Sequence, residues 1–406
     1  MFYAFPANLT LEEVRNVIRK HNERIGAVGF CEIVKDGYTA FDYVVAFADS
    51  FPQPVDDDPQ TAREYAILRE CRGLLMDQKT GQVLARRYHK FFNVNEKEFT
   101  QAHLIDWSAD HVILDKLDGS MISPFRVTGE NRIRWGTRKG ETEISKPVVE
   151  FVEERRNYEA FAAAMIDRRV TPIFEWCSPQ QRIVIEYRTD NLILTGIRDN
   201  LTGQYWSYED MTRAAWEYDI PIVTMLPGMV KKSAEYLERV RKQKGVEGVI
   251  IRFRNGHMVK IKTEEYCIKH KAIDALSLEK NVWQLVLSDS IDDFLSTLPE
   301  EDRAIVERFQ DDIKRELILE GQRYERIVER ARRACRDSKK KFATEWLKMN
   351  MNLNRQIAFQ VWDGSRGYDA IRSYVKKNSN SASKVEQVRP LLNFISWNDY
   401  RKSYDE

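Results

Sequence analysis

One short segment of the chain contains the residue types of a covalent nucleophile site. Residues 114–120 read Leu-Asp-Lys-Leu-Asp-Gly-Ser, so a strand would run into a Lys-x-Asp-Gly turn at Lys116. A lysine amine is a nucleophile only when it is neutral, which requires nearby cations or removal from water. Asp118 could orient that amine, and Gly119 would let the backbone come close to a ligand. Because this tetrapeptide is common by chance, an exposed turn is the alternative.

A pair of lysines near residue 260 is a candidate site for a polyanion. In a strand over residues 258–262, Val259 and Ile261 share one face, whereas Lys260 and Lys262 share the other. Two like charges at such positions are unfavourable unless an anion neutralises them. A triphosphate would do so, and the same charges would help to keep the Lys116 amine uncharged. The alternative is the solvated outer face of an edge strand.

Two glutamates lie in apolar surroundings. Glu175 is inside the segment Ile-Phe-Glu-Trp, and Glu247 precedes Gly248 and an apolar strand. A carboxylate in such a place is unfavourable unless it is paired, hydrogen-bonded to a ligand or coordinated to a cation. Both are therefore candidates for metal or ribose binding, although each could be a surface position between two inward-facing residues.

Further cations lie beside glycine or aromatic residues. Arg72 precedes Gly73, Lys90 precedes the aromatic pair Phe91 and Phe92, and Lys139 follows a strand. Arginine and lysine suit phosphate binding, and a phenylalanine ring can stack on a base. For Lys139 a charged hairpin tip is the alternative. Together these residues predict a site for a nucleoside triphosphate and a divalent metal, and the sequence contains no Gly-x-x-x-x-Gly-Lys-Ser/Thr loop.

Short strands must position most of these residues. Between residues 111 and 263 the pattern predicts strands at 112–114, 121–127, 132–137, 173–176, 192–197, 249–253 and 258–261. Asn255-Gly256 predicts a hairpin between the last two strands. Helices are predicted over 146–168 and 208–218. The fold class is therefore α+β, with antiparallel sheets and flanking helices.

The two ends of the chain have different patterns. Thr10 and Glu13 form a capping box that opens a helix, and residues 51–59, with three prolines and three aspartates, are expected to be a surface loop. After residue 266 apolar positions recur with a helical period, most clearly over 304–331. Residues 378–383 read as a polar loop. This region is predicted to be an all-helical C-terminal domain.

Composition excludes several classes of protein. Among 406 residues, 64 Lys and Arg balance 63 Asp and Glu, so a polyanion site must be a local concentration of charge. One such concentration is residues 330–341, with seven basic residues and one acidic.

No apolar run could span a bilayer and no secretory pattern opens the chain, so a cytoplasmic protein is expected. Five widely spaced cysteines predict reduced thiols.

The ordered series of motifs resembles the covalent nucleotidyltransferases, which are polynucleotide ligases and capping enzymes, and most closely the phage RNA ligase 1 family. Four elements carry the resemblance, at residues 116–119, 174–176, 247–250 and 260–262. Residues 72–73 and 90–93 match further upstream elements. The resemblance implies a ligase-type nucleotidyltransferase domain over 1–266, including an N-terminal subregion 1–110, and a helical RNA-binding domain over 267–406.

The resemblance also implies an activity, that of an ATP-dependent RNA ligase. Lys116 would attack the α-phosphate of ATP and hold AMP as a phosphoramidate, which then moves to an RNA 5′-phosphate before a 3′-hydroxyl seals the strand. Magnesium, or manganese as an alternative, would assist. The remaining roles implied are phosphate binding and charge compensation by Lys260 and Lys262; contact of Arg72, Lys90 and Lys139 with triphosphate or RNA; nucleotide contact by Phe92, Gly119 and Glu175; metal binding by Glu247 and Glu175; and a catalytic part for Asp118.

The implied partner is RNA with 5′-phosphate and 3′-hydroxyl ends, with cleaved tRNA as a candidate and RNA repair as the purpose. No membrane or protein partner is implied, and the location would be the host cytoplasm if the chain is phage-encoded. Two alternatives stay open. One is another covalent nucleotidyltransferase, either a capping guanylyltransferase or a DNA ligase, although these normally follow the core with a small β-barrel rather than helices. The other is a non-catalytic RNA-binding protein on the same scaffold.

Overall fold

A computed structural model describes residues 5–44, 50–53, 58–288, 294–295, 298, 300–350 and 352–402. The chain divides into two compact units, Met1–Cys267 and Ile268–Glu406. The first unit combines sheets with flanking helices, and the second is helical, so the α+β class with a helical C-terminal region is confirmed. Within the described ranges, no helix combines the length and apolar character that crossing a membrane requires.

The N-terminal part of the first unit is a four-stranded antiparallel sheet in the order β1-β2-β3-β4. Its elements are α1 Leu11–Ile25, β1 Phe30–Val34, β2 Tyr38–Tyr43, α2 Pro59–Glu70, β3 Leu74–Asp77 and β4 Val83–Ala85. As predicted, Thr10 caps α1, because its hydroxyl accepts a hydrogen bond from the Glu13 amide at 3.2 Å.

The surface loop predicted over residues 51–59 is wrong at both of its ends. Phe51 is buried and its ring meets those of Phe30 and Tyr43 edge-on. Pro59 opens α2, and the Asp58 carboxylate accepts hydrogen bonds from the amides of the first turn. An aspartate followed by proline is a helix start as well as a loop signal, and here the helix forms. Residues 54–57 lie outside the described part of the chain.

Two further sheets complete the first unit, in the orders β10-β9-β7-β8 and β11-β6-β12-β13-β5. Their neighbours are antiparallel except for β5 and β13, which pair parallel. The strands are β5 Phe92–Asn93, β6 His111–Lys116, β7 Ser120–Phe125, β8 Arg134–Gly136, β9 Val170–Cys177, β10 Asn191–Asp199, β11 Met225–Leu226, β12 Gly248–Phe253 and β13 Met258–Lys262. The helices are α3 Lys146–Glu153, α4 Arg156–Asp167, α5 Tyr208–Trp216 and α6 Ser233–Arg241.

The predicted hairpin at Asn255-Gly256 is confirmed, since it joins β12 to β13 and Gly256 has a φ of 89°. The single helix predicted over 146–168 is instead two helices, α3 and α4. The apolar faces of these helices pack with Phe174 and Trp176 of β9 in one core. Because side chains alternate along a strand, Glu175 between them lies on the opposite face.

The second unit is built from helices around its own core. Its elements begin with α7 Glu264–Leu276, which starts in the first unit, and continue with α8 Glu279–Val286, α9 Glu300–Cys335, the short pieces Lys339–Lys341, Phe342–Trp346 and Leu347–Met349, and then α10 Arg355–Trp362, α11 Gly367–Lys377, α12 Ala382–Val388 and α13 Trp397–Lys402. The core contains Trp283, Phe309 and Ile313. The predicted polar loop 378–383 ends early, because Ala382 begins α12.

Candidate active site

The register of three strands brings the predicted lysines onto one face of a sheet. Gly248 of β12 lies opposite Lys116 of β6 on one side and opposite Lys262 of β13 on the other. Two residues further along, Ile250 lies opposite Lys260 in the same way. Directly opposed residues of antiparallel strands project to the same side. The three lysines therefore share a face, although more than 140 residues separate the first from the other two.

Glu247 lies between two of these ammonium groups. Its Oε1 is 2.8 Å from Lys116 Nζ and 3.0 Å from Lys262 Nζ, and its side chain is 3% exposed. The backbone conformation requires the glycine that follows, because Gly248 has a φ of 146° and an added Cβ would lie 2.0 Å from the Ile261 carbonyl oxygen. This glycine lets the carboxylate enter the lysine cluster from the end of β12.

A cavity of about 510 Å³ covers this face. Its opposite wall comes from β7 and β9, where Met121 pairs with Glu175. The predicted site residues that line it are Arg72, Lys116, Gly119, Lys139, Glu175, Lys260 and Lys262. Residues from three separate sheets and their loops thus surround one space that is large enough for a nucleotide.

Glu175 is a half-buried carboxylate in the cavity wall. Burial raises its pKa to about 7; the positive charge of Lys116 opposes that rise and the negative charge of Glu247 adds to it. Among the described residues it has no hydrogen-bond partner. Near neutral pH this group is therefore poised between its neutral and charged forms, and a cation in the cavity would favour the charged form.

Lys260 has a pKa that its surroundings lower strongly. Burial, together with the charges of Lys116, Arg72 and Lys262, lowers this pKa to about 7. The crowding of cations predicted from the sequence thus acts on Lys260. Lys116 lies instead against the Glu247 carboxylate.

Asp118 does not line the cavity, so its predicted catalytic part is corrected to a positioning one. Its side chain is buried and its two oxygens are occupied. Oδ2 accepts hydrogen bonds from the amides of Val184 and Ile185 at 2.8 and 2.7 Å, and Oδ1 accepts one from the Tyr266 hydroxyl at 2.8 Å. These bonds hold the turn that follows Lys116.

Gly119 lines the cavity, but its lack of a side chain serves another contact. A Cβ at this position would lie 2.3 Å from the Trp176 carbonyl oxygen. The glycine is therefore required where β7 leaves the turn and meets β9. This differs from the expectation that it makes room for a ligand.

The aromatic residue at the cavity is Phe91 and not Phe92, which corrects the sequence prediction. Phe91 lines the cavity, with Lys260 Nζ 5.6 Å from its ring centre. Phe92 is buried in the N-terminal core, because successive residues of an extended segment face opposite sides. Lys90 also lies outside the cavity lining, and its Nζ is 4.7 Å from the ring centre of Tyr43 and 5.2 Å from that of Phe51.

The remaining cations are placed at the cavity rim and wall. Arg72 donates a hydrogen bond to the Tyr88 carbonyl at 3.3 Å, and burial lowers its pKa. Lys139 is exposed. Sequence reasoning missed Arg138, which also lines the cavity and lies 3.4 Å from the buried Asp42 carboxylate. The signal was present, since Arg138 directly precedes Lys139 in the same loop.

The carboxylates fit a divalent cation in part. Glu175 offers oxygens that have no partner in the described part of the chain, whereas Glu247 is already engaged by two lysines. In the described part of the chain, no cluster of three or more histidine, cysteine, aspartate or glutamate side chains could hold a metal alone. Magnesium is commonly bound by one or two carboxylates together with substrate phosphates, so the pair is compatible with a cation that enters with a nucleotide.

Comparisons with known proteins find similarity over the same part of the chain. The model of a family described as RNA ligase, of the T4 RNA ligase 1 type, matches residues 70–266. Over these residues the chain is similar to the phage RNA ligase 1 family. The matched segment contains each of the predicted site residues and ends at Tyr266, the partner of Asp118.

Two curated proteins are similar to the chain. A protein of Thermovibrio ammonificans, provisionally named an RNA ligase, is 32% identical over 251 residues, which are 59% of this chain and 63% of that protein. A protein of Autographa californica nuclear polyhedrosis virus, provisionally named a bifunctional polynucleotide kinase/RNA ligase, is 24% identical over 68% of this chain and 40% of its own length. The chain thus spans less than two thirds of either relative.

Solved structures of RNA ligases are similar at a lower level. An archaeal ATP-dependent RNA ligase has a TM-score of 0.45 at 11% identity, covering 66% of this chain and 68% of that one. A Naegleria gruberi RNA ligase variant with ATP and Mn has a TM-score of 0.33 at 19% identity, covering 40% and 52%. With TM-scores below 0.5, these similarities support no statement about the site.

Proposed function

We propose that this protein is an ATP-dependent RNA ligase that joins RNA 3′-hydroxyl and 5′-phosphate ends. The observation that supports it best is the shared face of Lys116, Lys260 and Lys262, with Glu247 between two of them, in a cavity of nucleotide size. The match of residues 70–266 to an RNA ligase family model agrees with this interpretation.

In the first step the Lys116 Nζ attacks the α-phosphorus of ATP. A nitrogen–phosphorus bond forms, the bond between the α-phosphorus and its bridging oxygen breaks, and pyrophosphate leaves. Glu247 holds the amine in place and is near enough to accept its proton. Lys260, Lys262 and Arg72 bind the phosphates and stabilise the charge that develops at phosphorus.

In the second step an oxygen of the RNA 5′-phosphate attacks the lysine-bound adenylate. The nitrogen–phosphorus bond breaks, which restores Lys116, and AMP is now joined to the RNA end through a phosphoanhydride. In the third step the 3′-hydroxyl of the other RNA end attacks the 5′-phosphorus, and AMP leaves. The same cationic face serves all three steps, because in each of them negative charge develops on the oxygens of the phosphorus that is attacked.

A divalent cation, magnesium or manganese, would be held by Glu175 and by Glu247, and it would neutralise phosphate charge and stabilise the leaving group. Glu175 can respond to the positive charge of the cation, because its pKa of about 7 lets it lose its proton when a cation binds. The same property keeps Glu175 from opposing phosphate binding when no cation is present.

The helical unit is proposed to bind the RNA, with cleaved tRNA as the candidate substrate. In the basic segment 330–341, four exposed cations have no partner among the described residues: Arg330, Arg336, Lys340 and Lys341. In contrast, Arg332 donates to the Trp362 carbonyl and lies 5.0 Å from that ring, and Lys339 pairs with Asp363 at 2.5 Å. The unpaired cations are available for phosphates.

The test of the proposed function is intact mass measurement after mixing the protein with ATP and magnesium. We expect one added adenylate in the native protein, none in Lys116→Ala, and a normal adduct in the control Lys79→Ala, which removes an exposed lysine outside the cavity. Radiolabelled RNA with 5′-phosphate and 3′-hydroxyl ends should then be joined. An adduct from GTP alone would support a capping enzyme, and RNA binding without any adduct would support a non-catalytic protein; either result would contradict the proposal.

A further inference from the structure

A second cavity lies further along the strand that separates the catalytic lysines. It has a volume of about 170 Å³ and is lined by β12, by the loop before α5 and by the beginning of α5. The two cavities have no lining residue in common. Between them Tyr88, which lines the first, stacks on Tyr205, which lines the second, with ring centres 5.6 Å apart. The second cavity is therefore a separate space.

One side chain in this cavity has an unused hydrogen-bonding group. Arg252 is 5% exposed, and its Nη1 is buried without a hydrogen-bond partner. The other buried ionisable side chain there, His111, has a partner at both ring nitrogens, the carbonyl of Ala109 and the amide of Val230. A buried guanidinium with an unpaired group is unfavourable in the empty protein. Such a group is expected where an anion completes its hydrogen bonds.

A second feature of the cavity favours an anion independently. Ser207, Tyr208 and Glu209 line it, and these are the cap and first two residues of the nine-residue helix α5. The first amides of a helix have no partner within the helix and carry partial positive charge. The Ser207 hydroxyl accepts a hydrogen bond from the amide of Asp210, three residues further along the chain. The helix start and Arg252 thus line the same space.

Of the two arginines that line the cavity, Arg252 has no ion-pair partner among the described residues. Arg254 is exposed and pairs with Asp110 at 3.2 Å, so these two charges offset each other. Glu209 is exposed at the rim and can turn its carboxylate to solvent. A single anionic group with several acceptor oxygens matches this set of donors. Phosphate has that geometry, and arginine binds it through two parallel hydrogen bonds.

We propose that this cavity is a phosphate-binding site, with Arg252 and the start of α5 as its donors. The phosphate could come from an internal phosphodiester of RNA or from free phosphate, and the two sources share the same chemistry. The site lies outside the catalytic cavity, so it binds a phosphate group that does not react.

Thermal unfolding with inorganic phosphate tests the site itself. The melting temperature of the native protein should rise with phosphate, whereas Arg252→Met, which keeps the length of the side chain without its charge, should lose that rise. Phosphate can also bind the catalytic lysines. The measurement is therefore repeated in a Lys260→Met background, where the part that depends on Arg252 should persist. Arg254→Met, an exposed neighbour, is the matched control and should respond like the native protein.

Binding of a 5′-hydroxyl oligoribonucleotide distinguishes the sources, because all of its phosphates are internal. If RNA supplies the phosphate, Arg252→Met weakens this binding about tenfold or more while inorganic phosphate has a small effect. If free phosphate is the ligand, only the phosphate response is lost. Should Arg252→Met fail to fold, Arg252→Lys keeps the charge without the forked geometry and should also lose most of the response.

Equal responses of Arg252→Met and the native protein to both ligands would overturn the proposal. Arg252→Met should still form the adenylate adduct, since Arg252 lies outside the catalytic cavity. Failure of the phosphate site and failure of the ligase function are therefore separate outcomes.

Discussion

The Lys116 ammonium group lies 2.8 Å from the Glu247 carboxylate, which is almost completely buried. The same carboxylate binds Lys262 at 3.0 Å, so one negative charge offsets two positive ones. Because an unpaired buried charge is strongly unfavourable, this arrangement ties the position of the proposed nucleophile to the integrity of the cluster. The arrangement also distinguishes Lys116, whose loss would remove the nucleophile, from Glu247, whose loss would disturb the site.

Replacement of Lys116 by alanine should abolish the adenylate adduct without unfolding the protein. Glu247 keeps Lys262 as a partner in the variant, so no buried charge is left alone. We expect a loss of at least about a thousandfold in adduct formation and a melting temperature close to that of the native protein. Intact mass and circular dichroism measure the two effects. An adduct at native levels in this variant would exclude Lys116 as the nucleophile.

Replacement of Glu247 by glutamine should slow adduct formation about tenfold to a hundredfold, because the amide keeps the shape but neither accepts a proton nor balances two cations. Single-turnover measurements across magnesium concentrations separate two origins of the effect. A higher magnesium requirement would indicate metal binding by Glu247, and an unchanged requirement would indicate that it positions Lys116. A native rate at every magnesium concentration is the result that this structure does not allow.

The stability of the protein should depend on pH through Glu175. Its pKa is raised from 4.5 to about 7, so between these values the folded state binds more protons than the unfolded state. Stability is therefore lost as pH rises through this window, and the loss is nearly complete about one pH unit above the folded-state pKa. Glu175→Gln should be more stable than the native protein by about 2 kcal/mol near pH 8 and equal to it near pH 4. Urea unfolding at both pH values checks this, and a constant difference would contradict the burial of the carboxylate.

Alanine at position 119 should destabilise the first unit by about 2 to 4 kcal/mol, because its Cβ would meet the carbonyl of Trp176 and a backbone atom cannot swing aside. Gly26→Ala is the comparison. Gly26 has a φ of 64° and no atom within 4 Å of the added Cβ, so its cost of roughly 1 kcal/mol comes from backbone conformation alone. Similar unfolding midpoints for the two variants would mean that the contact with β9 relaxes easily.

Neutralising two exposed cations of the basic segment should weaken RNA binding and leave the adduct unaffected. In Arg330→Gln/Arg336→Gln we expect the slope of log affinity against log salt to fall by roughly 1.4, since each lost contact with a single strand contributes roughly 0.7. Arg326→Gln, an exposed residue of the same helix outside the segment, is the control. Arg332 is unsuitable for this test because its contacts with Trp362 support the fold. An identical salt slope in the double variant would argue against this surface.

Strand alternation and turn chemistry were sufficient to predict much of the core. The hairpin at Asn255-Gly256 and the common face of Lys260 and Lys262 follow from local rules, and the structure shows both. The N-terminal strands β1 and β2 were not predicted from the sequence. Almost all residues of β2 are buried, and neither strand alternates between buried and exposed residues, so the period of two that reveals a strand is missing. The choice of Phe92 over Phe91 was wrong for a related reason. A motif match cannot show which of two adjacent residues, on opposite faces of an extended segment, faces the cavity.

Residue order and local period are enough to show which residue types this protein has available for phosphoryl chemistry, namely lysines, glutamates in apolar surroundings and a Lys-x-Asp-Gly turn. How these residues meet depends on the tertiary structure. The pairing of β12 with both β6 and β13 puts Glu247 between lysines that are distant in the chain, and the packing of the Asp118 carboxylate against Tyr266 removes it from the cavity. Register and long-range hydrogen bonds depend on how strands pair and on what is buried, and neither is a property of one local segment.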